Sequence, residues 1–294
     1  MRVSISVTNY SWPGGAASIR TNLGRVARVA DEAGVDTVWV ADHLLQADPF
    51  ADPAHTEHLE AVTTLGFLAA RTERVRLGAM VSAVTFRPPA VLIKAISTLD
   101  VLSGGRAWFG IGAGHHAGEA RDMGLPFGPV AERFERLEET LRLAHQMWSG
   151  DESAFEGRHY QLAHPVDSPH PVQRPRILVG GTGERKTLRL VARYADACNV
   201  FDIPDGGRTV RHKLSVLADH CAAIGRPYEE IETTISTRIE PGESADEFAR
   251  RCVELANLGL DHVVVITRGP WTEDAVRTVG DAARAVAPIG AGGT

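Results

Sequence analysis

Eight short runs rich in β-branched residues, each followed by a longer amphipathic stretch, succeed one another along almost the whole chain. They fall near residues 2–8, 36–41, 75–82, 106–111, 176–180, 197–201, 232–238 and 261–267, with helical periodicity in most of the intervals. Parallel strands joined by crossover helices require this alternation, because a parallel neighbour is reached only by carrying the chain back across the sheet's face. A doubly wound open sheet alternates in the same way, but the number eight predicts a closed (β/α)8 TIM barrel. The 294 residues then divide into one barrel domain, 1–288, and a flexible Gly-rich tail, 289–294. Local stops agree with the strand positions. Gly34 and Gly104 are placed to end the first and third helices in the left-handed conformation, and Pro88 and Pro89 suit a helix's first turn.

Composition narrows the class further. Hydrophobic residues make up 44% of the chain and charged residues 23%, with a net charge of -6 and no basic stripe, which disfavours a nucleic-acid partner. There is no 18-residue apolar run and no secretion signal at the start, so a cytoplasmic protein with no membrane contact is expected. Cys198, Cys221 and Cys252 are far apart and not in a CxxC pair, which predicts reduced thiols rather than disulfides or a zinc knuckle.

Three long intervals are read as insertions: residues 42–58 after strand two, 112–130 after strand four, and 150–175 before strand five, the last carrying FEGRHYQL as a hairpin or lid. The first two lie at carboxyl-terminal strand ends, where barrels build their sites. In AWFGIGAGHHAGE (107–119), a strand runs into Gly110, Gly112 and Gly114 and then His115 and His116. The spacing fits a GxGxxA dinucleotide fingerprint and equally a Gly-rich turn with two exposed histidines. In PRILVGGTGERKTLRL (175–190), Gly180 and Gly181 lead into a helix whose free amides would face a phosphate, unless this is only a tight turn. In VWVADHLLQ (38–46), Asp42 and His43 leave strand two, where an imidazole can move a proton near neutral pH or simply satisfy a neighbour. His55, Glu57 and His58 invite a metal reading with that pair, but HExxH spacing is absent and no metal is expected. Ala79, Met80 and Val81 form either an apolar wall behind a ring system or ordinary core.

Taken together, VDTVWVADH (35–43), LEAVTTLGFLAARTERVRLG (59–78), STLDVLSGGRAWFGIGAG (97–114), ERFERLEETLRLAHQMW (132–148), FEGRHY (155–160) and TLRLVARYADACNVF (187–201) resemble the luciferase-like monooxygenase superfamily. Within it the resemblance is to the F420-dependent oxidoreductases of actinobacterial type, over nearly the full chain. It implies a (β/α)8 barrel with coenzyme F420, or alternatively FMN, across the carboxyl-terminal strand ends. By position, His43 would lie beside the reactive face of the ring with Asp42 next to it, and Met80 and Val81 where the family often has a non-proline cis peptide. Gly112, Ala113 and Gly114 would follow the ring edge, Gly180, Gly181 and Thr182 the phosphate, and Asn199 would add a polar contact. Arg185 or Lys186 would meet the cofactor's polyglutamate tail. The family's sugar-phosphate dehydrogenases place a catalytic acid where this chain has His115, so His115 either takes that role or lines the pocket, with His116 beside it. The implied reaction is hydride exchange between the deazaflavin C5 and a small organic substrate, with a pocket histidine handling the proton, in a homodimer. An FMN-dependent monooxygenase is the nearest alternative; a metal-dependent hydrolase and a noncatalytic deazaflavin carrier are readings from other classes.

Overall fold

The computed structural model describes residues 1–287; the tail expected at 289–294, and residue 288 of the expected domain, lie outside the described residues. Eight parallel strand positions form the wall: Arg2–Val7, Thr37–Val40, Arg76–Ala79, Trp108–Gly112, Arg176–Gly180, Ala197–Phe201, Glu232–Arg238 and His262–Ile266. We number them one to eight. Each pairs with its sequence neighbour, and strand eight returns to strand one, with Ile5 opposite Val265 on one side and Val38 on the other. The ring closes between strands three and four through a parallel bridge, Leu77 to Ala107, and through a short continuation, Ser82–Ala83, that pairs with Ile111 and Gly112. Sequence-neighbour order throughout is what short right-handed crossovers produce.

Strand three, read from sequence as a single run over 75–82, is therefore divided. The chain leaves the ladder at Met80–Val81, whose peptide bond is cis. The bulge needs room, and glycines on the neighbouring strands supply it. A Cβ on Gly110 would lie 1.9 Å from the Ala79 carbonyl oxygen, and one on Gly180 would lie 2.6 Å from a Val81 methyl. Gly110 and Gly180 thus first accommodate protein rather than ligand.

The barrel's interior is filled in layers. Lowest is a polar group, where the His262 ring bridges Ser4 and Glu232 (Nδ1 to carboxylate 2.7 Å) and Arg2 and Arg176 both pair with Glu232. Above it sit Trp39, Trp108, Leu178, Ala197 and Val264, all without solvent exposure, and Met80 and Val81 rest on them. A much larger apolar shell joins the strands to the surrounding helices. Gly34 and Gly104 end their helices in the left-handed conformation, and Pro88 and Pro89 begin the helix Pro89–Ser103. Between these elements run a loop over 41–60, a segment over 113–129 holding the short helix Ala117–Asp122, and a stretch over 150–175 with the hairpin Phe155–Glu156 and Gln161–Leu162. No helix among the described residues is long and apolar enough to cross a membrane.

Candidate active site

Above Met80 and Val81 lies a cavity of about 420 Å³, bounded by carboxyl-terminal strand ends and the loops that follow them. It brings together His43, His115, His116, Asp42, Gly112, Ala113, Gly114, Gly180, Gly181 and Asn199, which the sequence distributes over more than 150 positions. Thr182 is not on its wall; Thr187, the first residue of the following helix, is.

The histidines cluster at one side. The His43 ring lies 5.5 Å from His115, 6.0 Å from His116 and 6.2 Å from His58, each edge to face. Its Nδ1 is 2.7 Å from a carboxylate oxygen of Glu119, a fully buried side chain that also accepts from the amides of Leu44 and Leu45. Burial opposes ionisation of Glu119, but the hydrogen bonds from His43 and those amides prevail and hold its carboxyl below the usual range. With Nδ1 committed, Nε2 is the nitrogen of His43 left for a ligand. His116 serves the backbone instead, since its Nδ1 accepts from the Glu119 amide and caps the helix Ala117–Asp122. Burial first, then His43 and His116, push the His115 imidazole down and favour its neutral form.

Glu119 was not anticipated from sequence, although it closes the motif that contains both histidines. The signal was its spacing: an acid at the third helical position, three residues after the cap, is where a side chain turns back toward the helix start. Asp42 sits on the cavity wall, but both of its oxygens accept from Arg87, at 2.6 and 3.0 Å. Asn199 is buried between Thr234, to which its amide donates at 2.8 Å, and the Ser236 hydroxyl, which donates to its oxygen at 3.0 Å. Among the described residues, no group of three or more His, Cys, Asp or Glu is placed to hold a metal ion.

Across the cavity, Gly181 has φ of 108°, a conformation natural only to glycine, and turns the chain toward the helix Thr187–Tyr194. Among the described residues, no backbone or side-chain acceptor takes the amides of Gly183 to Thr187, and the helix has no side-chain cap. Such a start presents donors and positive dipole to an anion. The turn is held from outside, where the Glu184 carboxylate pairs with Lys213 and His212 and its carbonyl meets His220 at 2.7 Å. Gly181→Asp is expected to weaken binding of a phosphate-bearing cofactor by at least about tenfold, about 1.4 kcal/mol, since it adds charge and a strained backbone at this start. Calorimetric titration together with an unchanged far-UV circular dichroism spectrum checks it; unchanged affinity would take the phosphate away from this turn.

Behind His43, the His58 ring stacks edge-on to Tyr10 at 5.4 Å, and burial, with His43 second, pushes it down to about 4. At the barrel base Glu232 is also shifted: burial opposes its ionisation, but His262, Arg2 and Arg176 outweigh it and lower it to about 2. The unfolded chain takes up His58's proton below about pH 6.5 and the fold does so only near 4, so stability falls as pH drops between these values. Glu232 contributes stability that is complete above about 4.5 and lost toward 2. A urea midpoint measured against pH is expected to fall in two legs, and His58→Phe to remove only the upper one.

The family model described as luciferase-like monooxygenase matches residues 1–286. Among curated relatives, the F420-dependent glucose-6-phosphate dehydrogenases of Microbacterium testaceum (strain StLB037) and Kineococcus radiotolerans (strain ATCC BAA-149 / DSM 14245 / SRS30216) are 32% and 35% identical, over 72% and 74% of this chain. The matched stretches span 61% and 63% of those relatives' own lengths. In fold, the chain is similar to an F420-dependent secondary alcohol dehydrogenase solved with an F420-acetone adduct, at TM-score 0.81 and 16% identity over 97% of this chain and 99% of that one. It is also similar to the monooxygenase RslO1 from Streptomyces bottropensis, at TM-score 0.80 and 21% identity over 98% and 99% of the two chains.

Proposed function

Because the chain belongs to the luciferase-like monooxygenase family, we propose that it is an F420-dependent oxidoreductase acting on a small organic substrate. One observation carries the reading: a single cavity has a carboxylate-oriented imidazole, His43, at one side and an anion-receptive glycine turn, Gly181, at the other. The residues fit the group. Val81 offers an apolar face at the cavity floor, the amides before Thr187 are free to meet a phosphate, and the Thr8 hydroxyl, on the cavity wall, has no hydrogen-bond partner. The names of the relatives at 32% and 35% identity support F420 over FMN.

When bound, F420 supplies hydride exchange at its C5 position. Glu119 fixes the His43 ring by accepting from Nδ1, so that Nε2 takes the proton from a substrate hydroxyl, or returns it to a carbonyl oxygen. A histidine whose far nitrogen is held by a buried carboxylate is aimed without having to reorganise during the transfer. His115, held toward its neutral form, borders the same space and can donate to or accept from the substrate oxygen. Asn199 and Ser236 form a hydrogen-bonded pair at the strand ends that presents polar atoms to the cofactor.

The test is titration of the purified protein with F420 and with FMN, followed by fluorescence. F420 is expected to bind at least about tenfold tighter than FMN, a difference of about 1.4 kcal/mol or more. Micromolar FMN binding with no F420 binding would overturn the cofactor assignment.

A further inference from the structure

We infer that the substrate of this site is an uncharged molecule with an apolar, ring-sized body and one hydroxyl or carbonyl, and not a sugar phosphate. The inference rests on reading the cavity as the F420 site, and it departs from the substrate for which the relatives at 32% and 35% identity are named.

The first observation is the wall. Four of the chain's nine phenylalanines, Phe86, Phe127, Phe134 and Phe201, line this one cavity. Phe201, at the end of strand six, stands at the cavity's edge with 55% of its surface exposed. Two of the four, Phe86 and Phe127, also line an adjoining concavity of about 420 Å³ whose other walls include Pro88, Pro89, Pro126 and Tyr160. The apolar surface therefore continues outward from the histidines, with room for a body larger than the reacting carbon.

The second observation is charge. A phosphate dianion leaves water only for a site that returns cations or several donors. The cavity wall includes one guanidinium, Arg133, and two of its nitrogens are taken by backbone carbonyls. Its Nε donates to the Ala113 carbonyl at 3.1 Å, its Nη1 to that of Gly128 at 2.8 Å, and its plane lies 3.9 Å from the Phe127 ring centre. Asp42 is held by Arg87 at both oxygens, and in the adjoining concavity Arg136 pairs with Glu132 at 2.8 Å. Burial favours the neutral form of His115. Arg185 and Lys186 are exposed beside the Gly181 turn, the end assigned to the cofactor, with Lys186 stacked over Phe134 at 5.3 Å. The walls around the histidines thus offer the aromatic faces of Phe86 and Phe127, one imidazole oriented for proton transfer, and a single guanidinium, Arg133, two of whose nitrogens are spent on backbone carbonyls, where a dianion calls for several cations or free donors.

Saturation-transfer NMR and calorimetry on the whole protein, with and without F420, test this using acetophenone as the neutral probe and glucose 6-phosphate as the anionic one. Acetophenone is expected to bind saturably, with an affinity indifferent to added salt. Phe201→Ala, at an exposed position where folding is not at stake, and Phe86→Ala should each weaken it at least fivefold, while glucose 6-phosphate shows no saturable binding at millimolar concentration. Binding of glucose 6-phosphate that weakens with salt and disappears in Arg133→Gln would overturn the inference, as would failure of acetophenone to bind. The F420 titration on the same preparation separates the two claims, since loss of F420 binding removes the cofactor reading and leaves the acetophenone result to be judged on its own.

Discussion

Gly110→Ala is expected to destabilise the protein by about 3 kcal/mol or more, the upper end of overpacking costs, although it adds one methyl group. The reason is local. The new Cβ would sit 1.9 Å from the Ala79 carbonyl oxygen and 3.3 Å from a Val81 methyl. Backbone cannot rotate away as a side chain can, so strands three and four must separate at the point where the ring closes. Urea denaturation checks it against Gly66→Ala, a control in the helix Ala61–Ala69, where an added Cβ meets nothing within 4 Å. That control is expected to gain roughly 0.5–1 kcal/mol from helix propensity. Equal midpoints for the two variants would show that the close approach of the Ala79 carbonyl is relieved at no cost.

His43→Ala is expected to lower kcat about 10²- to 10⁴-fold, the range typical of a lost general acid or base, while the F420 dissociation constant stays nearly unchanged. Glu119→Gln should lower kcat less, since the amide oxygen still accepts from Nδ1 and holds the ring. His116→Ala is the control in the same cluster. It removes the cap of the helix Ala117–Asp122, so it should cost stability, about 0.5–2 kcal/mol, more than turnover. Wild-type kcat in His43→Ala would end the catalytic assignment, and a large defect confined to His116→Ala would move the proton to the strand-four loop.

The barrel could be read from sequence because each strand and helix stop is a local signal: β-branched runs, the glycines at 34 and 104, the prolines at 88 and 89. His43 and the glycine turn at 180–181 were legible because βα junctions can be placed once the strands are. Thr182 does not line the cavity and Thr187 does, since a turn at a positive-φ glycine redirects the next residues in a way no pattern encodes. Phe86 and Phe201 come from other βα units than Phe127, Arg133 and Phe134, so only the closed ring shows that the five share one space. The purpose of Gly110 was equally hidden, because the carbonyl it makes room for lies 31 positions earlier in the chain.

The stacked interior bears on kinetics. Trp39, Trp108, Leu178, Ala197 and Val264 shut the lower end of the barrel, with the Glu232–His262 layer beneath them, so the cavity has no exit through the base. It behaves as a cup and not a pipe. If the cofactor rests on Met80 and Val81 and the substrate on the cofactor, as proposed above, the two would share one mouth and the deeper ligand could not depart while the shallower one is seated. On the proposed function, turnover is expected to be ordered, cofactor first in and last out, and excess substrate is expected to trap the spent cofactor and slow the enzyme at high concentration, which initial-rate kinetics would show.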